Sequence, residues 1–394
     1  MRERSRSPFS SPAPSSGKGR VRHVLMSTQS SRGEWTCALE LSRALGERGL
    51  AVTLATLGAP LTRAQWAEAR DVPGLRVEQS VWRSEDMLDA WDDVAEAGAW
   101  LLELEARYLP DVVHLNGYCH GALPWMRKPL VVGHVCPLAR ARREPRYLAE
   151  VTRGLRAAGH VVVPSHALLE SLELQAGPLA STSVIPPARR HVDFPPSAVR
   201  EPFLFTTGAP WDEARNLEVL EAVAHRLDWP VLVAGAREHP EGGLVRSRAL
   251  HLLGELPRAS LAERLGRASL FVLPSREEPS GLAALDAALA GCALVLGDIP
   301  SLREMWEDAA VFVPPEDTEM WGRALRRLVS EPVLRGRMST LARTRALEFS
   351  PERMADAYVA LYSRMGELSQ RSPPSQPQLA RAKAGADWGR SRVL

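Results

Sequence analysis

The chain has 394 residues, 45% of them hydrophobic and 24% charged, which gives room for two ordinary domains with buried cores. Its formal net charge of +2 is nearly balanced and argues against a nucleic-acid partner. No apolar run reaches the roughly 18 residues that a membrane-spanning helix needs. The cysteines have neither metal-ligand nor disulfide spacing, so we expect a cytoplasmic protein with reduced thiols.

Segments rich in serine, proline and arginine mark the boundaries of the ordered chain. Residues 1–20 lack the apolar core of a secretory signal, and residues 369–394 are equally polar. Neither segment can bury enough apolar surface to offset the entropy of ordering, so we expect both to be disordered. Prolines cluster again in residues 187–200, which we interpret as a linker between an N-terminal domain, 21–186, and a C-terminal domain, 201–349.

Short apolar strands alternate with helices in both predicted domains. In the first, "VRHVLM" is followed by a polar loop, "STQSSRGEW", and by the amphipathic helix "TCALELSRALGERG". In the second, "FLFTTG" precedes a helix predicted over residues 215–227. This pattern favours parallel sheets covered on both faces, so we predict two doubly wound α/β domains facing across a cleft. Ligands of such sheets bind beyond the carboxyl ends of the strands.

A last helix is predicted over residues 350–368, within "SPERMADAYVALYSRM" and the residues that follow. Ser350 is a candidate N-cap, and Pro351 suits the first helical position. One face of this helix is apolar and carries Met354, Tyr358, Leu361, Tyr362 and Met365. Because that face must pack on something, we expect the helix to bridge the two domains.

The stretch "REEPSGLAALDAALAGCALVLGDIP", residues 276–300, places two carboxylates around the start of a small-residue helix. Helix N-termini expose unpaired N–H groups and partial positive charge, which suits a diphosphate, and Gly281 lets the backbone approach a ligand closely. Glu278 would then lie beside the attached sugar, and Asp286 would accept hydrogen bonds from ribose hydroxyls. A generic loop-to-helix junction with surface acids explains the same spacing, so the spacing alone leaves both interpretations open.

The same stretch resembles the nucleotide-sugar signature of the retaining glycosyltransferases of family 4 (group 1), which is Glu-Pro-Phe-Gly-Leu, three residues, then Glu. The corresponding residues here are Glu278, Pro279, Ser280, Gly281, Leu282 and, after three more, Asp286. In the N-terminal half, "HVLM" and "RGEWTCALELSRALGERGLAVTLAT" resemble the family's glycine loop and first helix, and "PDVVHLNGY" and "PLVVGHV" resemble its acceptor-side strands. The resemblance covers residues 21–365 approximately and implies the GT-B fold of two Rossmann-like domains.

Further site residues are implied by the resemblance. The loop "TTGAPWDEARNLEVLEA" corresponds to the family's diphosphate clamp, with Gly208 kept, Ala209 where an arginine is usual and Arg215 where a lysine is usual. His134 stands where family members place a histidine near the transferred sugar, although a lone histidine is equally explained as a core residue bonded to the backbone. Gly33 lies where the family's loop faces the donor phosphate and the acceptor.

The activity implied by the resemblance is transfer of a sugar from a nucleotide-diphosphate sugar to an acceptor hydroxyl, with retention of configuration and without a metal ion. The implied catalytic residues are Glu278, His134 and Arg215. The implied donor-binding residues are Gly33, Gly208, Arg215, Ser280, Gly281, Leu282 and Asp286. No cofactor is implied beyond the nucleotide sugar itself, and the acceptor would be a glycan, a lipid-linked molecule or a small molecule.

Departures from the family pattern at Ala209, Ser280 and Asp286 keep an alternative open: a catalytically impaired GT-B protein that binds a nucleotide sugar or serves as a partner scaffold. A dinucleotide oxidoreductase is disfavoured, since no Gly-x-Gly-x-x-Gly follows "VRHVLM". The arginines of "LARARREPR" fit either a solvated face or contact with anionic lipid. A peripheral position on the inner face of the membrane therefore stays open beside the cytoplasm.

Overall fold

The computed structural model describes residues 21–371, apart from 88, 138–143 and 240–241. The two predicted disordered tails lie outside these residues, except that the last helix runs to Arg371. Most of the arginine-rich segment "LARARREPR" also lies outside them. Its predicted exposure or lipid contact therefore stays a prediction.

The chain forms two compact units. The first comprises the residues up to Pro164, then Leu169–Pro186, and the chain from Pro351 onward. The second comprises Ser165–Leu168 and Pro187–Ser350. The predicted linker, 187–200, is thus assigned to the second unit, where the backbone N–H of Arg189 donates to the carbonyl of Phe349 at 3.2 Å.

The first unit is built on a parallel sheet, seven-stranded within the described residues, in the order β3-β2-β1-β4-β5-β6-β7. The strands are β1 (His23–Gln29), β2 (Ala51–Leu57), β3 (Leu75–Gln79), β4 (Val112–Asn116), β5 (Leu130–Val132), β6 (His160–Val163) and β7 (Thr182–Val184). The helices of this part of the chain are α1 (Arg32–Gly46), α2 (Arg63–Arg70), α3 (Trp91–Tyr108), α4 (Pro145–Ala157) and α5 (His166–Ala176), with a 3-10 turn at Cys119–Ala122. The central strand β1 pairs with both β2 and β4, because Val24 is in register with Val52 and Val112.

The second unit repeats this plan with a parallel sheet, six-stranded within the described residues, in the order β10-β9-β8-β11-β12-β13. The strands are β8 (Glu201–Thr207), β9 (Val231–Ala234), β10 (Leu250–Gly254), β11 (Ala268–Leu273), β12 (Ala293–Gly297) and β13 (Val311–Val313). The helices are α6 (Leu217–Ala224), α7 (Arg258–Arg267), α8 (Leu282–Leu289), α9 (Pro300–Trp306), α10 (Thr318–Ser330) and α11 (Pro332–Ala346), with 3-10 turns at His191–Asp193 and Glu307–Ala309.

The apolar strand runs explain why both sheets are parallel. Every residue of β11 and of β12 is buried, as expected for strands that are covered by helices on both faces. The core of the second unit joins residues of these strands to Trp321 and Leu325 of α10 and to Leu220 of α6. The predicted doubly wound α/β architecture is confirmed for each unit.

Two of the predicted helices begin at other residues in the structure. Helix α1 begins at Arg32, inside the predicted loop, and its Trp35 is buried with its indole N–H donating to Glu68 at 3.0 Å. Burying that large ring stabilises an earlier helix start than the polar sequence suggested. Helix α6 begins only at Leu217, because Asn216 takes a left-handed conformation with φ of 53° and leaves Arg215 in the preceding turn.

The last helix, α12 (Pro351–Arg371), belongs to the first unit. Its residues Met354, Tyr358, Leu361 and Tyr362 are buried, and the helix packs against α1 and β4. Arg48 at the end of α1 adds an ion pair to Asp356 at 2.7 Å. The apolar face predicted from the sequence is thus the face that packs, while its role as a bridge between the domains stays a prediction.

Candidate active site

The loops after β8 and β11 meet because these strands are neighbours in the second sheet. Their backbones are joined where the N–H of Arg276 donates to the carbonyl of Ala214 at 2.9 Å. Asn216 ties a third loop to them, since its side-chain NH₂ donates to the carbonyls of Pro274 at 3.0 Å and Pro315 at 2.9 Å. The carboxyl end of this sheet therefore carries a braced set of loops, which is where parallel sheets bind their ligands.

An ion pair between Arg215 and Glu278 lies at the centre of this set. The Glu278 side chain is only 4% exposed, and its other oxygen accepts from the Ser280 hydroxyl at 3.1 Å and from the Gly281 N–H at 2.9 Å. Burial opposes the charge on Arg215, yet the Glu278 carboxylate outweighs that effect and raises the pKa of the guanidinium. The guanidinium therefore stays charged, and the ion pair holds each side chain in place.

Gly208, directly after β8, lets the Arg215 side chain lie close to the loop backbone. It has a φ of 138°, and a Cβ atom there would lie 2.8 Å from Cγ of Arg215. The predicted clamp residues Gly208 and Arg215 are thus in direct contact. Ala209, which follows, offers no second cation at this loop.

The start of α8 requires a glycine for two reasons. Gly281 is the N-cap with a φ of 62°, in the left-handed region that side chains disfavour, and a Cβ there would lie 2.4 Å from Sδ of Met305. The first amides of a helix, here from Leu282 on, have no partner within the helix. At the helix start predicted at Gly281, the Gly281 N–H donates to Glu278, and the first amides of α8 follow directly beside the Arg215–Glu278 pair.

Asp286 lies one turn further along α8 and is held by an arginine that the sequence analysis did not single out. Nε of Arg189 donates to the Asp286 carboxylate at 2.9 Å, with the two side chains 4% and 15% exposed. Arg189 comes from the proline-rich segment "PPARRHVDF", where nothing in the spacing distinguishes it from the neighbouring Arg190. Arg189 and Asp286 are 97 residues apart in the sequence, so no local pattern predicts their contact.

The remaining predicted residues, His134 and Gly33, lie in the first unit. His134 follows β5, is half-buried, and makes a 2.7 Å hydrogen bond to the Asn116 side chain at the end of β4. Burial lowers the pKa of His134 to about 4, so the imidazole is neutral near pH 7. Gly33 lies exposed in the first turn of α1, and no atom lies within 4 Å of where its Cβ would be.

The second unit thus brings together most of the predicted donor-site residues. Gly208, Arg215, Glu278, Ser280 and Gly281 form a continuous set of contacts. Leu282 is the next residue of the chain, and Asp286, one turn further along α8, is paired with Arg189. The arrangement combines a guanidinium, a helix N-terminus and two fixed carboxylates, which suits a diphosphate with polyhydroxylated groups attached.

Comparison with known proteins identifies the family. Residues 204–331 match the model of "Glycosyl transferases group 1", and residues 32–189 match the model of "Glycosyltransferase Family 4". The chain belongs to the group 1 glycosyltransferases. The two sheets of this glycosyltransferase are the two Rossmann-like domains of the GT-B fold, as the resemblance implied.

Curated relatives of the glycosyltransferase include two sugar-transferring enzymes. Glycogen synthase from Mycobacterium tuberculosis is 34% identical over 157 residues, which are 39% of this chain and 35% of that protein. The match thus spans about a third of the length of glycogen synthase. D-inositol 3-phosphate glycosyltransferase from Geodermatophilus obscurus is 28% identical over 85% of this chain and 86% of its own.

Among solved structures, the glycosyltransferase is similar to HepE from Anabaena, which was solved with UDP and glucose. The two share 13% sequence identity with a TM-score of 0.69, covering 87% of this chain and all of HepE. At this identity the likeness establishes the fold alone. In the described part of the glycosyltransferase, no helix is long and apolar enough to cross a membrane.

Proposed function

We propose that this protein moves a sugar from a nucleoside-diphosphate sugar to an acceptor hydroxyl, with retention of configuration and without a metal ion. The proposal is carried by the contacts among Arg215, Glu278 and Gly281, which join a cation, a buried carboxylate and a helix start at the carboxyl end of a parallel sheet. HepE, a fold relative, was solved with UDP and glucose, which supports a donor of this class. The relative from Geodermatophilus obscurus, which matches most of both chains, is named as a glycosyltransferase, and this supports a transferase activity.

Arg215 and the first amides of α8 would stabilise the leaving diphosphate. Negative charge builds on the diphosphate as the bond to the sugar breaks, and donors held in advance lower the barrier without reorganisation. Arg215 is positioned by Glu278 and by the close approach of Gly208, so its guanidinium is fixed before the donor binds. Leu282 would supply a backbone N–H, as helix starts do for phosphates elsewhere.

Glu278 would hold hydroxyls of the transferred sugar. A carboxylate offers about four lone-pair positions, and Arg215, Ser280 and Gly281 account for three contacts in this structure. The count leaves about one acceptor position of the carboxylate for a sugar hydroxyl. Ser280, in the place of the family's phenylalanine, adds a hydrogen bond that keeps the Glu278 carboxylate in one orientation.

Asp286 would accept hydrogen bonds from the ribose hydroxyls, with Arg189 fixing the carboxylate. Gly33 would let an acceptor or phosphate approach the start of α1, which the open space around it supports. His134 would act as a hydrogen-bond partner of the sugar. These roles are proposals carried over from the family pattern, residue by residue.

For location and acceptor we propose a cytoplasmic enzyme acting on a glycan, a lipid-linked molecule or a small molecule. The cysteines are not joined in disulfides in this structure, which supports a reducing compartment. Contact with the inner face of a membrane is a further proposal, for which the basic residues around 138–146 are the reason. Nothing in the comparisons favours the alternative of an impaired scaffold protein.

The test is turnover with a panel of nucleotide sugars and acceptors, following nucleoside diphosphate release by the purified protein. We expect Glu278→Gln to reduce release by roughly 100-fold, because it removes the charge that positions Arg215 and weakens the contacts to the sugar. Glu277→Gln is the matched control, since Glu277 is the exposed carboxylate next to it in sequence, and it should retain wild-type rates. Excess EDTA should leave turnover unchanged, and NMR of the product should show the anomeric configuration of the donor.

Equal release by the wild type and Glu278→Gln would refute the assignment. Stabilisation of the protein by a nucleotide in thermal-shift measurements, without turnover of any donor, would favour the scaffold alternative instead. Product of inverted configuration would leave the transferase assignment intact and overturn retention.

A further inference from the structure

A chain of polar side chains runs through the first unit from α12 to His134. His114 and Asn116 lie on the same face of β4, two residues apart. The His114 Nδ1 atom is 2.6 Å from the hydroxyl of the buried Tyr362, and its Nε2 atom is 3.3 Å from Oδ1 of Asn116. The same Oδ1 atom is 2.7 Å from Nε2 of His134.

The orientation of Asn116 is determined by β1. Its side-chain NH₂ donates to the carbonyl of Ser27 at 2.7 Å, and its backbone N–H donates to the Ser27 hydroxyl at 3.1 Å. A carbonyl of the main chain only accepts, so the amide nitrogen must face Ser27 and the amide oxygen must face the two imidazoles. Because that oxygen also only accepts, Nε2 of His114 and Nε2 of His134 must each carry a proton.

A neutral imidazole carries one proton, so its Nδ1 atom is then an acceptor. Burial lowers the pKa of His114 to about 3 and that of His134 to about 4, which keeps both rings neutral at physiological pH. Nδ1 of His114 accepts from the Tyr362 hydroxyl. Within the described residues, the hydrogen bond found for His134 is the one from its Nε2 atom to Asn116. Since Nε2 carries the proton of this neutral ring, its Nδ1 atom is an acceptor.

Among the described residues, burial is the cause that lowers the pKa of His134, and the carboxylates of Glu85 and Glu34 act, besides burial, on the pKa of the nearby Tyr118. On β4, the titratable neighbour is His114, and α12 contributes the hydroxyls of Tyr358 and Tyr362. In the loop after β4, Tyr118 donates its hydroxyl proton to the carbonyl of Val135, next to His134. Burial, foremost, raises the pKa of Tyr118 well above its usual value, so its phenol stays neutral.

We infer that Asn116 is the positioning residue for His134: it selects the Nε2–H tautomer, so that Nδ1 is presented as a hydrogen-bond acceptor to a substrate hydroxyl. Tyr362 stabilises this arrangement, because its hydroxyl donates to Nδ1 of His114 and so keeps the proton of that ring on Nε2, facing Asn116. The inference rests on the proposed function for the identity of the hydroxyl-bearing substrate. The tautomer itself follows from the contacts of this unit alone.

The first experiment needs no variant and no substrate. In ¹⁵N-labelled wild-type protein, with His134 assigned by its loss in His134→Gln, the His134 ring should show a protonated Nε2 and a bare Nδ1 between pH 5.5 and 8. It should not titrate in that range. A proton on Nδ1, or titration near neutral pH, would overturn the inference whether or not the protein turns over a donor.

The second experiment uses Asn116→Asp, which keeps the shape of the side chain and adds a charge. The carboxylate accepts from Nε2 of His134 as the amide does, but it also stabilises the imidazolium and raises the pKa of His134 by about 2 units. Turnover, measured as kcat/KM against pH, should gain an acid limb between pH 5 and 7 that the wild type lacks, since protonation of Nδ1 removes the acceptor. The histidine resonance should titrate over the same range.

His160→Gln is the matched control. His160 is another histidine of the first unit whose pKa burial lowers to about 4, and its ring bonds to Ser181 and Ser183 instead of Asn116. This variant should leave the pH profile of kcat/KM unchanged. An unchanged profile in Asn116→Asp, with a His134 resonance that does titrate, would contradict the inferred role of Nδ1. The wild-type tautomer found as inferred in a protein without any turnover would count against the proposed function instead.

Discussion

The two units differ in the charge of the polar side chains that they bury toward the carboxyl ends of their sheets. In the second unit, Glu278 and Arg215 form an ion pair, and the N–H of Gly281 at the helix start adds a further donor to Glu278. In the first unit, the imidazoles of His114 and His134 are held neutral by burial and share one amide oxygen. The first arrangement suits binding of a charged group, whereas the second suits recognition of a neutral hydroxyl.

The carboxyl groups of Glu34 in the first unit and Glu278 in the second differ in the same way. It lies in the first turn of α1, and one of its carboxylate oxygens is buried without a partner among the described residues. Burial, then the nearby carboxylates of Asp86 and Glu85, raises the pKa of Glu34 to about 8. A carboxyl without a cation is thus kept neutral in the first unit, while Glu278 in the second unit has its cation.

Among the variants that test this difference between the units, we expect the largest loss of stability and turnover from Arg215→Ala. Removing the guanidinium leaves the Glu278 carboxylate buried without its cation, which should cost about 1–3 kcal/mol of unfolding free energy and about 100-fold in nucleoside diphosphate release. Denaturant unfolding and turnover measure the two effects. Arg226→Ala is the control, since Arg226 forms an exposed ion pair with Glu319 at 3.0 Å, and it should change neither quantity much. Wild-type activity in Arg215→Ala would show that the cation of the second unit is structural only.

Gly281 in the second unit and Gly33 in the first differ in how strictly the backbone requires a glycine. Gly281→Ala forces a side chain into a left-handed conformation and against Met305, so we expect a loss of about 2–3 kcal/mol in unfolding free energy. Gly33→Ala, in a helix with open space around it, should leave stability unchanged or slightly higher while lowering turnover. Thermal unfolding and turnover of the two variants separate the effects. Unchanged turnover in Gly33→Ala would remove Gly33 from the site.

The pH dependence of stability in Glu34→Gln tests whether the buried carboxyl of the first unit is neutral. A carboxyl with a raised pKa in the folded state contributes stability that is present below its unfolded pKa, near 4.5, and is lost as pH rises through about 8. Glu34→Gln should therefore be more stable than the wild type at pH 8.5, by roughly 1–3 kcal/mol, with the difference vanishing near pH 4.5. Denaturant unfolding across this pH range measures it. The exposed Glu47→Gln should show no such pH-dependent difference; a constant difference for Glu34→Gln would contradict the raised pKa.

Asp286→Asn is expected to have the smallest effect on turnover. Its carboxylate is fixed by Arg189 and is proposed to bind the ribose, away from the bond that breaks, so loss of its charge should raise KM for the donor about tenfold with kcat nearly unchanged. Steady-state kinetics against donor concentration give both parameters, and Glu319→Gln on the surface serves as the control. A fall in kcat with unchanged KM would argue against ribose binding.

The sequence predicted much of the second unit's site because its residues lie close together along the chain. Glu278, Ser280 and Gly281 come within four residues, and the helix-start pattern gives their local conformation. The contact of Arg215 with Glu278 was not predicted, because it depends on the strand order that places the loops after β8 and β11 side by side. Arg189 and Asn216 were missed because their partners are set by tertiary packing and not by spacing.

The protonation states could not be predicted either. Whether His134 is neutral and which of its nitrogens carries the proton depend on the depth of burial and on the Ser27 carbonyl that orients Asn116. The same holds for Glu34, whose place after β1 was known but not its neighbours.

By itself, the sequence determined the alternation of apolar strands and helices, and with it two parallel sheets whose carboxyl ends carry the functional loops. It also determined the glycine at the start of α8, because few other residues adopt that conformation. Only the tertiary structure decided which charges are compensated, which imidazoles stay neutral, and which elements α12 packs against. The physical reason is that burial and pairing depend on groups far apart in the chain, whereas local conformation depends on neighbours.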